Sequence, residues 1–260
     1  MYINVEGYKI RYYEKGDGKN ILLIHGLGGS IDSWIHNREI LSKHFHVVAC
    51  DLLGFGLSDK PKIRYSISMF VKFVKEFLAK LSIEDVSIIG SSLGGQIATA
   101  FALKYPSMVY ELILISPAGF TPPYYKGSKE LRLYASIFDA KDKEDLKHRL
   151  STLDRESHLS DEYIEFIYSY IKMENSKYAF YSALTNSAKA CRLNKKLDMI
   201  KSKGMLIWGK EDKIIPVRYC KPFIKTDFRV VLVERCGHRV HYEKPAIFNK
   251  LVIDFLESDM

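Results

Sequence analysis

The feature that most constrains this chain is an alternation of short apolar runs with amphipathic stretches. Ile21-Leu22-Leu23-Ile24, Val47-Val48-Ala49-Cys50, Val86-Ser87-Ile88-Ile89 and Leu112-Ile113-Leu114-Ile115 are short, β-rich and closed by Gly, Asp or Ser clusters. Such runs suit strands buried on both faces of a parallel sheet. Between them the spacing predicts helices over 33–43, 67–80 and 92–104, the last stopped before Pro106. The second is the clearest: Ile67, Phe70, Val71, Val74, Phe77, Leu78 and Leu81 share one face. Residues 2–14 alternate with period two around Glu6-Gly7 and read as an antiparallel hairpin. After Pro117 the rhythm breaks, and helical patterns cover 128–138, 142–152, 160–173 and 176–190. It resumes with Met205-Leu206-Ile207-Trp208 and Val230-Val231-Leu232-Val233, then a last amphipathic helix over 246–257. The expectation is an α/β protein with helices on both faces of a mostly parallel sheet. Residues 1–117 and 191–260 form its core, and 118–190 an inserted helical cap over the carboxyl edge.

A length of 260 residues suits one large domain with an insertion. The net charge of +8 is spread along the chain and interleaved with acids, as in Lys141-Asp142-Lys143-Glu144-Asp145, so neither nucleic acid nor a membrane surface is expected as partner. Cys50, Cys191, Cys220 and Cys236 show neither CxxC pairing nor a metal-ligand rhythm. There is no signal-like start, no apolar run approaching a membrane span and no Asn-x-Ser/Thr acceptor, which together predict a cytoplasmic protein.

Gly90-Ser91-Ser92-Leu93-Gly94 fits G-x-S-x-G, and its setting sharpens it: a predicted strand precedes it and a predicted helix follows. A serine hydroxyl is a poor nucleophile near neutral pH and needs a base, which in turn needs an orienting acid. Asp212 follows the 205–208 strand and His238 the 230–233 strand, so all three lie at carboxyl ends of strands. His241 and Glu211 are the rivals. His241 is expected to pack against the start of the last helix, near Glu243 and Pro245, and Glu211 to be a solvated turn charge. Backbone amides of Leu27, in the glycine-rich His25–Gly29 turn, and of Leu93 are the expected oxyanion donors. The 51–58 loop, Asp51-Leu52-Leu53-Gly54-Phe55-Gly56-Leu57-Ser58, reads as a structural turn that also shapes the pocket wall.

This set of motifs resembles the α/β-hydrolase superfamily in its lidded form. The resemblance rests on His25-Gly26, Asp51-x-x-Gly54-x-Gly56-x-Ser58, Gly90-x-Ser92-x-Gly94-Gly95, Trp208-Gly209-x-x-Asp212 and Gly237-His238-x-x-His241-x-Glu243-x-Pro245. It implies an eight-stranded sheet, no metal and no organic cofactor. Serine at 92 sets the chain apart from the dehalogenases and epoxide hydrolases, whose nucleophile is aspartate. Ser116-Pro117-Ala118-Gly119 offers no carboxylate, which supports Asp212 as the acid. Carbon–carbon hydrolases of aromatic-ring degradation are similar, but they usually carry Asn before the nucleophile and Trp after the histidine, where this chain has Ser91 and Arg239.

The expected function is carboxylic-ester hydrolysis on a small-molecule substrate, by a monomer or homodimer. Carbon–carbon, thioester, lactone or amide cleavage by the same trio is the alternative, and a non-catalytic ligand receptor a third reading. Phe120, Tyr124, Tyr125, Tyr134, Phe138, Phe166, Tyr178, Phe180 and Tyr181 in the insertion suggest either an apolar pocket or simple helix packing.

Overall fold

Eight strands form one sheet in the computed structural model, which describes residues 1–121, 127–153, 161–190 and 192–258. The hairpin is β1 (Tyr2–Val5) and β2 (Tyr8–Lys15), with Glu6 and Gly7 at positive φ in the turn. Next come β3 (Asn20–Ile24), β4 (His46–Cys50), β5 (Val86–Ser91), β6 (Val109–Ile115), β7 (Lys203–Gly209) and β8 (Arg229–Val233). Their spatial order is β1-β2-β4-β3-β5-β6-β7-β8. β2 is antiparallel to β1 and to β4, and every later pairing is parallel.

Strand alternation divides the core. Leu22, Ile24, Val48, Ile88, Leu112, Leu114, Leu206 and Trp208 face one layer, whose helices are α2 (Ile67–Lys80) and α3 (Leu93–Lys104). Ile21, Leu23, Val47, Ile89, Ile113, Met205 and Ile207 face the other. There α1 (Arg38–Leu41) packs with a long carboxyl-terminal helix that supplies Phe248, Val252 and Phe255. Period-two burial on both faces is the reason these runs read as continuous apolar strings in the sequence.

The helix expected over 33–43 is broken. A 3-10 turn over Ile31–Trp34, capped by Ser30, is followed by α1 alone. Between them the Asn37 amide donates to the His241 carbonyl and to Asn249 Oδ1, both at 2.9 Å, and the turn is spent on that long-range link.

Between β6 and β7 lie α4 (Lys129–Ala135), α5 (Lys143–Leu153), α6 (Asp161–Ile171) and α7 (Ser176–Lys189). No strand occurs among the described residues of this insertion. After β8 come α8 (Val240–Glu243) and the long helix α9 (Pro245–Glu257). No helix among the described residues is long and apolar enough to cross a membrane.

Candidate active site

β3 connects to β4 on one side of the sheet, and the chain then returns to place β5 on the other side of β3. Loops leaving the carboxyl ends of β3 and β5 therefore diverge, and a crevice opens between them. The two loops at this point are the glycine-rich turn after β3 and the Ser91-Ser92 turn into α3. Gly94 lets them approach closely: a Cβ there would lie 2.1 Å from the Ile24 carbonyl. Gly26 then lies against Ser92, where an added Cβ would be 3.3 Å from the serine Cβ.

Ser92 has φ 53° and ψ −115°, a conformation L residues avoid, and its side chain does not cap α3. Strand, helix and flanking glycines impose this geometry, and Ser92 lines the same cavity as His238, with no hydrogen bond joining the two side chains among the described residues.

Asp212 is buried at the end of β7 with four donors on its carboxylate. Oδ1 accepts from the Ile214 and Ile215 amides at 2.9 and 2.8 Å. Oδ2 accepts from Trp208 Nε1 at 3.1 Å and from His238 Nδ1 at 2.7 Å. Since a carboxylate only accepts, the His238 proton sits on Nδ1 and the Nε2 lone pair is left available. Glu243 braces the loop around the histidine by accepting from the Gly237 and Arg239 amides at 2.6 and 2.8 Å.

Leu27 and Leu93 line the same cavity, and neither backbone N–H is taken up by a partner among the described residues. The loop that carries Leu27 is tied down from below by His25, whose Nδ1–H donates to the Gly26 carbonyl at 2.7 Å. Its Nε2 accepts from the Leu52 amide at 3.0 Å. Burial pushes the His25 imidazole down to about 4, partly offset by the Gly26 bond, so it stays neutral in this role near neutral pH.

Both rivals lie at the cavity's edge, and neither is hydrogen-bonded to His238 or Asp212. Glu211 is exposed. His241 is buried, with its ring 4.3 Å from that of Trp34 and edge-on to Phe248 in α9. That agrees with packing at the last helix, with Trp34 as a further neighbour the sequence did not suggest. Burial first, then the positive charges of Arg239 and other nearby groups, holds His241 well below the usual imidazole range, and its Nδ1 is buried without a partner. The unfolded chain thus takes up a proton near pH 6.5 that the folded chain refuses. Its contribution is present above that pH and lost on acidification. Replacing His241 with phenylalanine is therefore expected to raise the unfolding midpoint, and more at pH 5 than at pH 8; thermal melts of both proteins across that range check it.

The 51–58 loop does not line the cavity, contrary to expectation. Asp51 turns inward and accepts from the Ile31 and Leu57 amides, both at 2.7 Å, so the loop supports the site only from behind, through Leu52 and His25. Of the insertion's aromatics singled out from the sequence, Tyr134, Phe166 and Tyr181 line the cavity, where Tyr163 and Tyr170 join them. Phe138 and Phe180 stack on each other at 4.2 Å, Phe120 packs on Phe223, and Tyr178 is exposed. Tyr124, Tyr125 and Cys191 lie outside the described residues. Sequence reasoning missed the polar use of Tyr134, whose hydroxyl donates to the Leu27 carbonyl at 2.8 Å, and missed Tyr170 altogether, which donates to the Gly28 carbonyl at 3.0 Å. Only the insertion's richness in tyrosine over phenylalanine hinted at either.

A sequence profile of the alpha/beta hydrolase fold matches residues 19–245. The chain is 26% identical to the 2-hydroxy-6-oxo-6-(2'-aminophenyl)hexa-2,4-dienoic acid hydrolase of Metapseudomonas resinovorans, covering 98% of this chain and 90% of that one. It is 29% identical to the monoacylglycerol lipase ABHD6 of Homo sapiens, over 99% of this chain and 82% of that one. Among solved structures, the meta-cleavage product hydrolase CumD of Pseudomonas fluorescens IP01 superposes with a TM-score of 0.88 at 25% identity, covering 100% of this chain and 98% of that one.

Proposed function

The chain belongs to the alpha/beta hydrolase fold family, and from that premise we propose that it is a serine hydrolase cleaving carboxylic esters with small to medium apolar acyl or aromatic groups. Residues 1–117 and 191–260 act as the hydrolase core and 118–190 as a cap over its cavity. The observation that carries the reading is the 2.7 Å bond from His238 to Asp212, at the cavity that Ser92 also lines. In this reading His238 Nε2 takes the Ser92 proton as the oxygen attacks the ester carbonyl. Asp212 holds the tautomer and stabilises the imidazolium. The Leu27 and Leu93 amides bind the oxyanion. His238 then gives its proton to the leaving alcohol, and in the second half-reaction takes one from water, which attacks the acyl-enzyme and frees the acid. Apolar walls supplied by Leu131, Ile137, Leu150 and Ile167 beside Tyr134 and Phe166 favour an apolar acyl group. Three free, buried cysteines, Cys50, Cys220 and Cys236, fit the reducing cytoplasm as the site of action.

A second reading is hydrolysis of a carbon–carbon bond in a vinylogous diketone, favoured by full-length likeness to two meta-cleavage hydrolases. Ser91 and Arg239 argue against it. Side-by-side kinetics on p-nitrophenyl esters and on a 2-hydroxy-6-oxo-hexa-2,4-dienoate test the choice. Ester turnover is expected to exceed diketone turnover by roughly 100-fold in kcat/KM. The opposite ratio makes the carbon–carbon reading the right one, and turnover of neither defeats both.

A further inference from the structure

The cap grips the Leu27 loop with two phenols on consecutive carbonyls. Tyr134, from α4, donates to Leu27, and Tyr170, from α6, donates to Gly28. Burial raises both phenols far above the neutral range, so both remain donors at any pH where the protein works. Gly28 has φ +67°, and a Cβ there would lie 3.0 Å from the Phe180 ring and 3.2 Å from that of Phe138. The cap's aromatic core therefore presses directly on the same loop, while His25 holds it from the sheet side.

A peptide plane held by its carbonyl cannot swing. The Leu27–Gly28 plane shares the Leu27 Cα with the plane that carries the Leu27 N–H, so fixing one restrains the aim of the other. We propose that Tyr134 and Tyr170 are positioning residues that aim the Leu27 amide at the oxyanion, making stabilisation of the tetrahedral intermediate depend on a seated cap. This rests on the serine-hydrolase reading above. The rings line the cavity, but the hydroxyls act through the backbone, so removing a hydroxyl alone bears on the transition state more than on substrate affinity.

Tyr134→Phe, Tyr170→Phe and the double variant of the full chain, assayed on p-nitrophenyl butyrate, test this. Each single change is expected to lower kcat about tenfold, and the double change more, with KM altered less than about twofold. Affinity for phenylboronic acid, which forms a tetrahedral adduct on a nucleophilic serine, falls in parallel, whereas inhibition by butyrate does not. Unchanged kcat and boronate affinity in the single variants overturn the proposal. So does a rise in KM that tracks a fall in melting temperature with kcat preserved. An inert wild type overturns the underlying reading together with this one, while an active wild type with fully active variants overturns this one alone. Should the double variant fail to fold, the two single variants decide.

Discussion

Ser92→Ala is expected to reduce ester hydrolysis by about 10⁴-fold or more and to abolish labelling by a fluorophosphonate probe. The methyl group keeps the volume and backbone of the elbow while removing the Ser92 hydroxyl from the cavity wall. Retention of most activity in a purified, folded variant would falsify Ser92 as nucleophile. Ser92→Gly makes a sharper companion. At φ 53° and ψ −115° an L side chain is strained and glycine is not, so this variant should be equally inactive yet gain about 1 kcal/mol of stability. Inactivity with a raised unfolding midpoint separates loss of chemistry from loss of fold.

Asp212→Asn should lower kcat by about 10⁴-fold with modest change in KM. The carboxylate accepts four hydrogen bonds, one of them from His238 Nδ1. An amide nitrogen set against His238 would donate instead, which moves the imidazole proton to Nε2 and removes the lone pair that must receive the serine proton. Turning the amide the other way spares His238 but leaves its NH₂ against the Ile214 and Ile215 amides, two donors facing a donor, so either orientation has a cost. The prediction is checked by the pH profile of kcat. Activity returning at high pH, where hydroxide can substitute for the missing base, is the expected signature. A variant with near-native kcat at pH 7 would show that the His238–Asp212 bond is structural only.

Most of the fold was legible because its signals are local and repeated. The apolar runs at 21–24, 47–50, 86–89, 112–115, 205–208 and 230–233 all lie inside strands. The helix at 67–80 was read to its last residue, since Ser66 caps it and one face is apolar throughout. The 33–43 segment was not, because its break is caused by Asn37 bonding to residues more than 200 positions away, which no local pattern encodes. The same distinction holds at the site. Ser92, Asp212 and His238 stand at strand ends, where sequence spacing points to them. Tyr134 and Tyr170 stand mid-cap, and their phenols reach the His25–Gly29 turn only through tertiary docking. The inward turn of Asp51 was likewise hidden, since a Gly-rich loop after a strand reads alike whether it faces a cavity or a core.

The Asn37 link has a consequence for biosynthesis. It ties the first third of the polypeptide to α8 and α9, while His238 arrives on the connection after β8, the outermost strand. During vectorial emergence from a ribosome Ser92 is made long before His238, the imidazole proposed to activate it, and the sheet lacks an edge until the tail pairs. If Ser92 and His238 act together as proposed, a chain truncated before His238 is expected to hydrolyse no ester.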